Sequence, residues 1–108
     1  MTAIKSAVVV LVTCGSRAEA RKIAGVIVKK RLAACVNVLS SPVESVYRWR
    51  GEVEGAGEFL LLIKTTRPRL KALEKLIAEL HSYELPEFLV LPVSGGSKKY
   101  LRWLQSSV

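Results

Sequence analysis

The sequence predicts an α+β fold: a ferredoxin-like βαββαβ antiparallel sheet with two helices on one face, plus a short C-terminal helix. Three observations lead there. Apolar runs of strand length alternate with stretches of helical period, the segments come in the order strand, helix, strand, strand, helix, strand, and the two halves share one pattern. The 108 residues suit a single domain spanning residues 1–108, and half of them are apolar. A domain of this size buries roughly 60 to 70% of the surface its unfolded chain exposes, so no disulfide or metal is needed for folding.

The elements follow in order. Val8-Val9-Val10-Leu11-Val12 is a continuous, mostly β-branched run that reads as a central strand buried on both faces. Ser16 stands three residues before Glu19, the capping-box spacing in which each side chain satisfies the other residue's backbone amide. The helix it opens carries Ala20, Ile23, Ala24 and Ile27 on one face and ends in Lys29-Lys30-Arg31, which complements the helix dipole. From Ala33 the period changes to two. Ser40-Ser41-Pro42 interrupts it and residues 43–50 resume it, which predicts one long strand bent at Pro42, with two separate strands as the alternative.

Gly51 and Gly55-Ala56-Gly57 supply turn chemistry, and residues 58–65 form the returning arm of a hairpin. That arm has about half the length of the first, which leaves strand edge without a partner and argues for association with other copies. A second helix opens at Thr66, with Pro68 in its first turn and Leu70, Leu73, Leu76, Ile77 and Leu80 at helical spacing. It stops around His81 to Tyr83. Residues 87–93 make the last strand, Ser94-Gly95-Gly96-Ser97 a loop, and Tyr100, Leu101 and Leu104 a short amphipathic helix.

Seventeen Lys and Arg against nine acidic residues, all of them Glu, give a net charge of +8. The basic residues are scattered over several elements, so a solvated basic surface explains them without a nucleic-acid partner. The strand Phe59-Leu60-Leu61-Leu62-Ile63 is apolar throughout and offers no aromatic platform for RNA bases. Arg17 and Asn37 could mimic the arginine and asparagine of acylphosphatases, but their flanking residues do not match. The apolar run after Lys5 is too short for a secretory signal or a membrane span, so the expected location is the cytoplasm. Cys14 and Cys35 lie in apolar surroundings without paired spacing and read as structural thiols of a reducing compartment.

The chain has one His and no P-loop, HExxH or paired-Cys motif, which argues against an enzyme built on a short signature. Polar and aromatic residues cluster twice, at Tyr47-Arg48-Trp49-Arg50 and around His81, Tyr83, Glu84 and Glu87. Six ordered segments then carry a resemblance: Leu32-Ala33-Ala34-Cys35-Val36-Asn37, Val46-Tyr47-Arg48-Trp49-Arg50-Gly51, Lys64-Thr65-Thr66, Leu80-His81-Ser82-Tyr83-Glu84-Leu85-Pro86-Glu87, Leu91-Pro92-Val93 and Tyr100-Leu101-Arg102-Trp103-Leu104. Together they resemble the CutA family of divalent-cation tolerance proteins over nearly the whole chain.

The resemblance implies a homotrimer similar to the PII signalling proteins, a response to copper and other divalent metal ions, and no enzymatic activity. It also implies a ligand cleft at a subunit boundary formed by Cys35, Tyr47, Trp49, Lys64, His81, Tyr83 and Glu84. Copper ligation in some family members is ascribed to a thiol at the end of the first strand and to the histidine before the Tyr-Glu motif. His81 matches the latter. Val12 occupies the thiol position, with Cys14 two residues along. One imidazole and one thiol suit copper or another divalent ion, bound weakly, because a strong site needs about four ligands. A PII-like small-molecule sensor is the alternative, and Gly95-Gly96 would let a loop approach a ligand closely.

Overall fold

A computed structural model of the chain describes residues 6–108; Lys5 lies outside the described residues. Among the described residues, five strands and three α-helices follow one another: β1 (Ala7–Cys14), α1 (Arg17–Lys29), β2 (Cys35–Val38), β3 (Val43–Trp49), β4 (Glu52–Thr66), a 3₁₀ turn (Arg67–Arg69), α2 (Leu70–Leu80), β5 (Leu89–Pro92) and α3 (Lys98–Ser106). All strand pairs are antiparallel, and the sheet order is β2-β4-β1-β5, with β3 paired to the other half of β4. This is the predicted α+β arrangement.

One face of the sheet makes the core. Val8, Val10, Val12 and Cys14 of β1 and Leu61 and Ile63 of β4 are completely buried against Ala20, Ile23 and Ile27 of α1 and Leu73 and Ile77 of α2. Each large apolar side chain so buried contributes roughly 1.5–3 kcal/mol. The alternate residues Val9, Leu11, Leu60 and Leu62 are only half-buried, and their β5 neighbours Leu89 and Leu91 are 55% and 46% exposed. β1 is therefore not buried on both faces as its sequence suggested. At one end of this second face Ala7 and Thr66 are buried, where α3 docks against β1 and β4 through Leu101 and Leu104.

The hairpin departs further from expectation. β4 runs for 15 residues, so its arms are matched: Glu52 to Glu58 pair with β3 and Leu61 to Lys64 with β2. The interruption at Ser40-Ser41-Pro42 separates two strands, and Gly55-Ala56-Gly57 lies within β4 rather than in a turn. The turn is Arg50-Gly51, where both residues have positive φ (52° and 84°), the two-residue geometry whose twist matches antiparallel strands. Beyond Cys14, where β1 ends, β3 and the first half of β4 continue as a two-stranded ribbon with two free edges, and the molecule extends 45 × 25 × 25 Å.

The helix ends also differ in detail. Glu19 donates its backbone amide to the Ser16 hydroxyl at 3.1 Å, but its carboxylate turns away from Ser16 toward residues 81 and 82, so only half of the capping box forms. Arg31 closes α1 with φ 59°, its amide on Val28 O and that of Leu32 on Ile27 O, a Schellman ending built on arginine where glycine is usual. The second helix begins as a 3₁₀ turn around Pro68, with α-helix only from Leu70. The last strand is Leu89–Pro92, shorter than residues 87–93.

Candidate metal and ligand site

The end of β1, the start of α1 and the exit of α2 meet at one point. His81 ends α2 with its amide on Ile77 O and turns its ring inward, 8% exposed. Its Nε2 lies 2.7 Å from Thr13 O; a carbonyl can only accept, so Nε2 carries a proton and donates. Nδ1 accepts the Tyr83 backbone N–H at 3.1 Å and lies 3.2 Å from Glu19 Oε2, which also accepts the Ser82 N–H. If the imidazole is neutral, its lone pair faces a carboxylate, two acceptors in contact; with Nδ1 protonated the same contact is an ion pair. A positive centre on or beside Nδ1, either a proton or a metal ion, relieves that conflict.

Cys14 completes the group. Ligand atoms of Cys14, Glu19 and His81 all lie within 4.8 Å of one another, and among the described residues no other such cluster occurs. Burial first, then the Glu19 and Glu58 carboxylates, push the Cys14 thiol up to about 12, so it is protonated at neutral pH. The donor set fits a borderline-soft divalent ion such as copper or zinc, with the Nε2–H···O=C bond to Thr13 orienting the ring as a metal-bound imidazole requires. Binding must displace the thiol proton and the Tyr83 amide from Nδ1. Both costs would weaken metal binding there.

Tyr83 links this pocket to a neighbouring cleft. Its ring stacks obliquely on His81 with centroids 4.7 Å apart, its edge lies against Gly15, and its hydroxyl donates to Glu58 Oε2 at 2.7 Å. Burial, then the Glu58 hydrogen bond, raise its phenol above the usual range. The cleft beyond it measures about 780 Å³ and is walled by Tyr47, Trp49, Tyr83 and Phe88, with Glu54, Glu58, Glu84 and Glu87 along it. Its volume suits a small ligand. Glu84 is held at the rim by Arg50 (3.0 Å), whose guanidinium also lies over Trp49. Burial and then Glu58 raise the Glu87 carboxyl above its ordinary value.

The structure therefore brings Tyr47, Trp49, Tyr83 and Glu84 together, with His81 directly behind Tyr83. Cys35 and Lys64 are elsewhere: they face each other across β2 and β4, six residues along β4 from Glu58, or roughly 20 Å of strand. Register nevertheless puts Cys35, Lys64 and the cleft residues of β3 and β4 on the same second face of the sheet. Glu19, Glu58 and Glu87 were not singled out as ligand or cleft residues from sequence. Arg17, considered for anion chemistry, instead donates Nε and Nη2 to Ser40 O (3.1 and 2.8 Å) and stacks on Phe59, which fixes the bend between β2 and β3.

Fold and site together define a ferredoxin-like α+β protein with a buried Cys/Glu/His pocket opening beside an acidic, aromatic cleft. The sequence profile described as "CutA1 divalent ion tolerance protein" matches residues 8–107. The chain belongs to that family. It is 45% identical over 100 residues to the chloroplastic CutA protein of Arabidopsis thaliana, covering 93% of this chain and 54% of that protein. It is 44% identical over 99 residues to the divalent-cation tolerance protein CutA of Thermus thermophilus, covering 92% and 95%. The chain thus spans about half the length of the plant relative and nearly all of the bacterial one.

Solved structures agree. The Thermus thermophilus divalent cation tolerance protein superposes with a TM-score of 0.92 at 43% identity over 94% of this chain and 98% of its own. CutA1 from Oryza sativa gives 0.93 at 40% identity, covering 99% and 97%. One neighbour, from Archaeoglobus fulgidus, is described as periplasmic, with a TM-score of 0.89 at 32% identity. Among the described residues, no helix is long and apolar enough to cross a membrane.

Proposed function

We propose that the chain is a homotrimeric divalent-cation tolerance protein of the cytoplasm that binds copper or a similar divalent ion weakly at His81 Nδ1, the Cys14 thiolate and Glu19, and that it acts by binding and not as an enzyme. The observation that carries the metal reading is the convergence of ligand atoms of Cys14, Glu19 and His81 within 4.8 Å of one another. A metal ion there would be shared by all three side chains. Family membership supports a link to divalent cations. Calorimetric titration of the apoprotein with Cu(II), repeated on His81→Ala, tests it: the reading expects micromolar or weaker binding that the substitution abolishes, and unchanged affinity in the variant removes His81 from the account.

Two features support assembly. The second face leaves Leu89 and Leu91 exposed, and the β3–β4 ribbon, with two free edges, is only marginally stable alone. A trimer packing through this face would set the cleft at a subunit boundary and bring Cys35 and Lys64 of a neighbouring copy toward it. Sedimentation equilibrium should give three times the chain mass. The size and lining of the cleft favour a second reading, a PII-like sensor of a small molecule, which shares the same assembly.

A further inference from the structure

The cleft carries an unbalanced charge. The chain as a whole is at +8, yet no lysine or arginine lines the cleft, while four of its nine acidic residues do. Arg50 neutralises only Glu84, at the rim. Glu58 is the telling residue. It is 8% exposed, and among the described residues no cation lies within ion-pair distance of it. Its single hydrogen bond comes from Tyr83 Oη to Oε2. No enclosed polar side-chain atom is left without a partner among the described residues, so the second oxygen, Oε1, keeps some exposure, and Glu58 lines the cleft. A carboxylate this buried ordinarily meets a positive charge.

The shape of the site restricts what that charge is. No three acidic groups of the cleft converge as the ligand atoms of Cys14, Glu19 and His81 do, which disfavours a small metal ion held by all of them. They are instead distributed along a space of about 780 Å³ whose remaining walls are aromatic and aliphatic. Carboxylates that share one space with aromatic faces suit a cation with an apolar body, because aromatic rings attract ammonium groups and the alkyl chain is desolvated against apolar surface.

We propose that the cleft binds a small aliphatic diammonium ion, with one positive end on Glu58, the other toward Glu87 and the alkyl segment against Tyr47, Trp49 and Tyr83. Tyr83 holds the Glu58 carboxylate in place by donating to Oε2, which leaves Oε1 to accept from the ligand. The raised Glu87 carboxyl is consistent with two acids facing one space without a cation between them. This deepens the reading of the cleft as a ligand site and is independent of the metal pocket.

The test is titration of the full chain, in its native assembly and freed of metal by EDTA that is then dialysed away, using 1,4-diaminobutane, with 1,4-butanediol as the neutral analogue of equal length and Mg²⁺ as the charge-matched control. Saturable binding of the diamine alone is expected. Glu58→Gln, which still accepts the Tyr83 hydroxyl, should weaken it by at least about tenfold, as loss of a charge-assisted hydrogen bond does. Glu87→Gln should weaken it too. Equal binding of diol and diamine, equal binding of Mg²⁺, or full affinity in Glu58→Gln would overturn the inference. So would absence of binding with Glu58 ion-paired to a lysine or arginine of a second copy. Because EDTA removes metal, failure here leaves the Cu(II) titration to judge the metal site separately.

Discussion

If Cys14 is a ligand, metal affinity must depend on pH in a calculable way. The thiol is raised to about 12 by burial and by Glu19 and Glu58, so at pH 7 only about one part in 10⁵ is thiolate. Proton competition then costs about 7 kcal/mol of apparent binding energy at pH 7, against about 2 kcal/mol for an exposed thiol. Each bound ion must expel one proton, so apparent affinity should rise about tenfold per pH unit from pH 7 to 9. Zinc avoids redox chemistry and makes a convenient probe. Competition against a chromophoric chelator at three pH values gives the slope, and calorimetry in buffers of different ionisation enthalpy counts the proton. Cys14→Ala should flatten the slope. A flat profile in the unmodified protein would refute the thiolate as a ligand and leave a site of His81 and Glu19 alone.

Three further predictions concern stability. Arg31 holds a left-handed conformation at the end of α1, so Arg31→Gly should stabilise by about 1 kcal/mol in chemical denaturation. Glu87 has a folded-state value above its unfolded one; its contribution is fully present below the unfolded value and is lost as pH rises through the raised one. Glu87→Gln should therefore stabilise the protein at neutral pH and lose that advantage near pH 4, as melts across that range would show. A Cβ at position 15 would come within 3.1 Å of Tyr83 Oη, so Gly15→Ala should displace the ring, weaken its bond to Glu58 and cost about 1 kcal/mol in the same denaturation assay.

The helices and central strands were legible because periodicity and burial agree there: Ala20, Ile23 and Ile27 face the core at helical spacing, and Leu73 and Ile77 do likewise. The hairpin was not. Gly55-Ala56-Gly57 has turn composition, but its neighbours pair across the ribbon, and the actual turn puts an arginine at positive φ. Gly51 marks the turn locally but nothing marks Arg50, which is secured by Trp49 beside it and by Glu84 from the segment after α2.

The site divides similarly. Cys14 and His81 drew attention as scarce residue types, whereas Glu19 had a sufficient local explanation as half of a capping box. Its role as a neighbour of His81 depends on the packing of α1 beside α2, which brings residues 62 positions apart together. Glu87 stood out only as one of the polar residues after the second helix, and Glu58, at the head of an apolar strand, did not stand out at all. Only the continuation of β4 past it into the ribbon, and the return of residues 83–89, bury it.

The most direct test of the metal reading is a copper-soaked crystal examined by anomalous diffraction at the copper edge. The account predicts a peak bonded to His81 Nδ1 at about 2.0–2.1 Å and to Cys14 Sγ at about 2.3 Å, distances usual for imidazole and thiolate on such ions, with Glu19 turned toward it. A peak at Cys35 or on surface side chains, with His81 Nδ1 still accepting the Tyr83 amide, would contradict it.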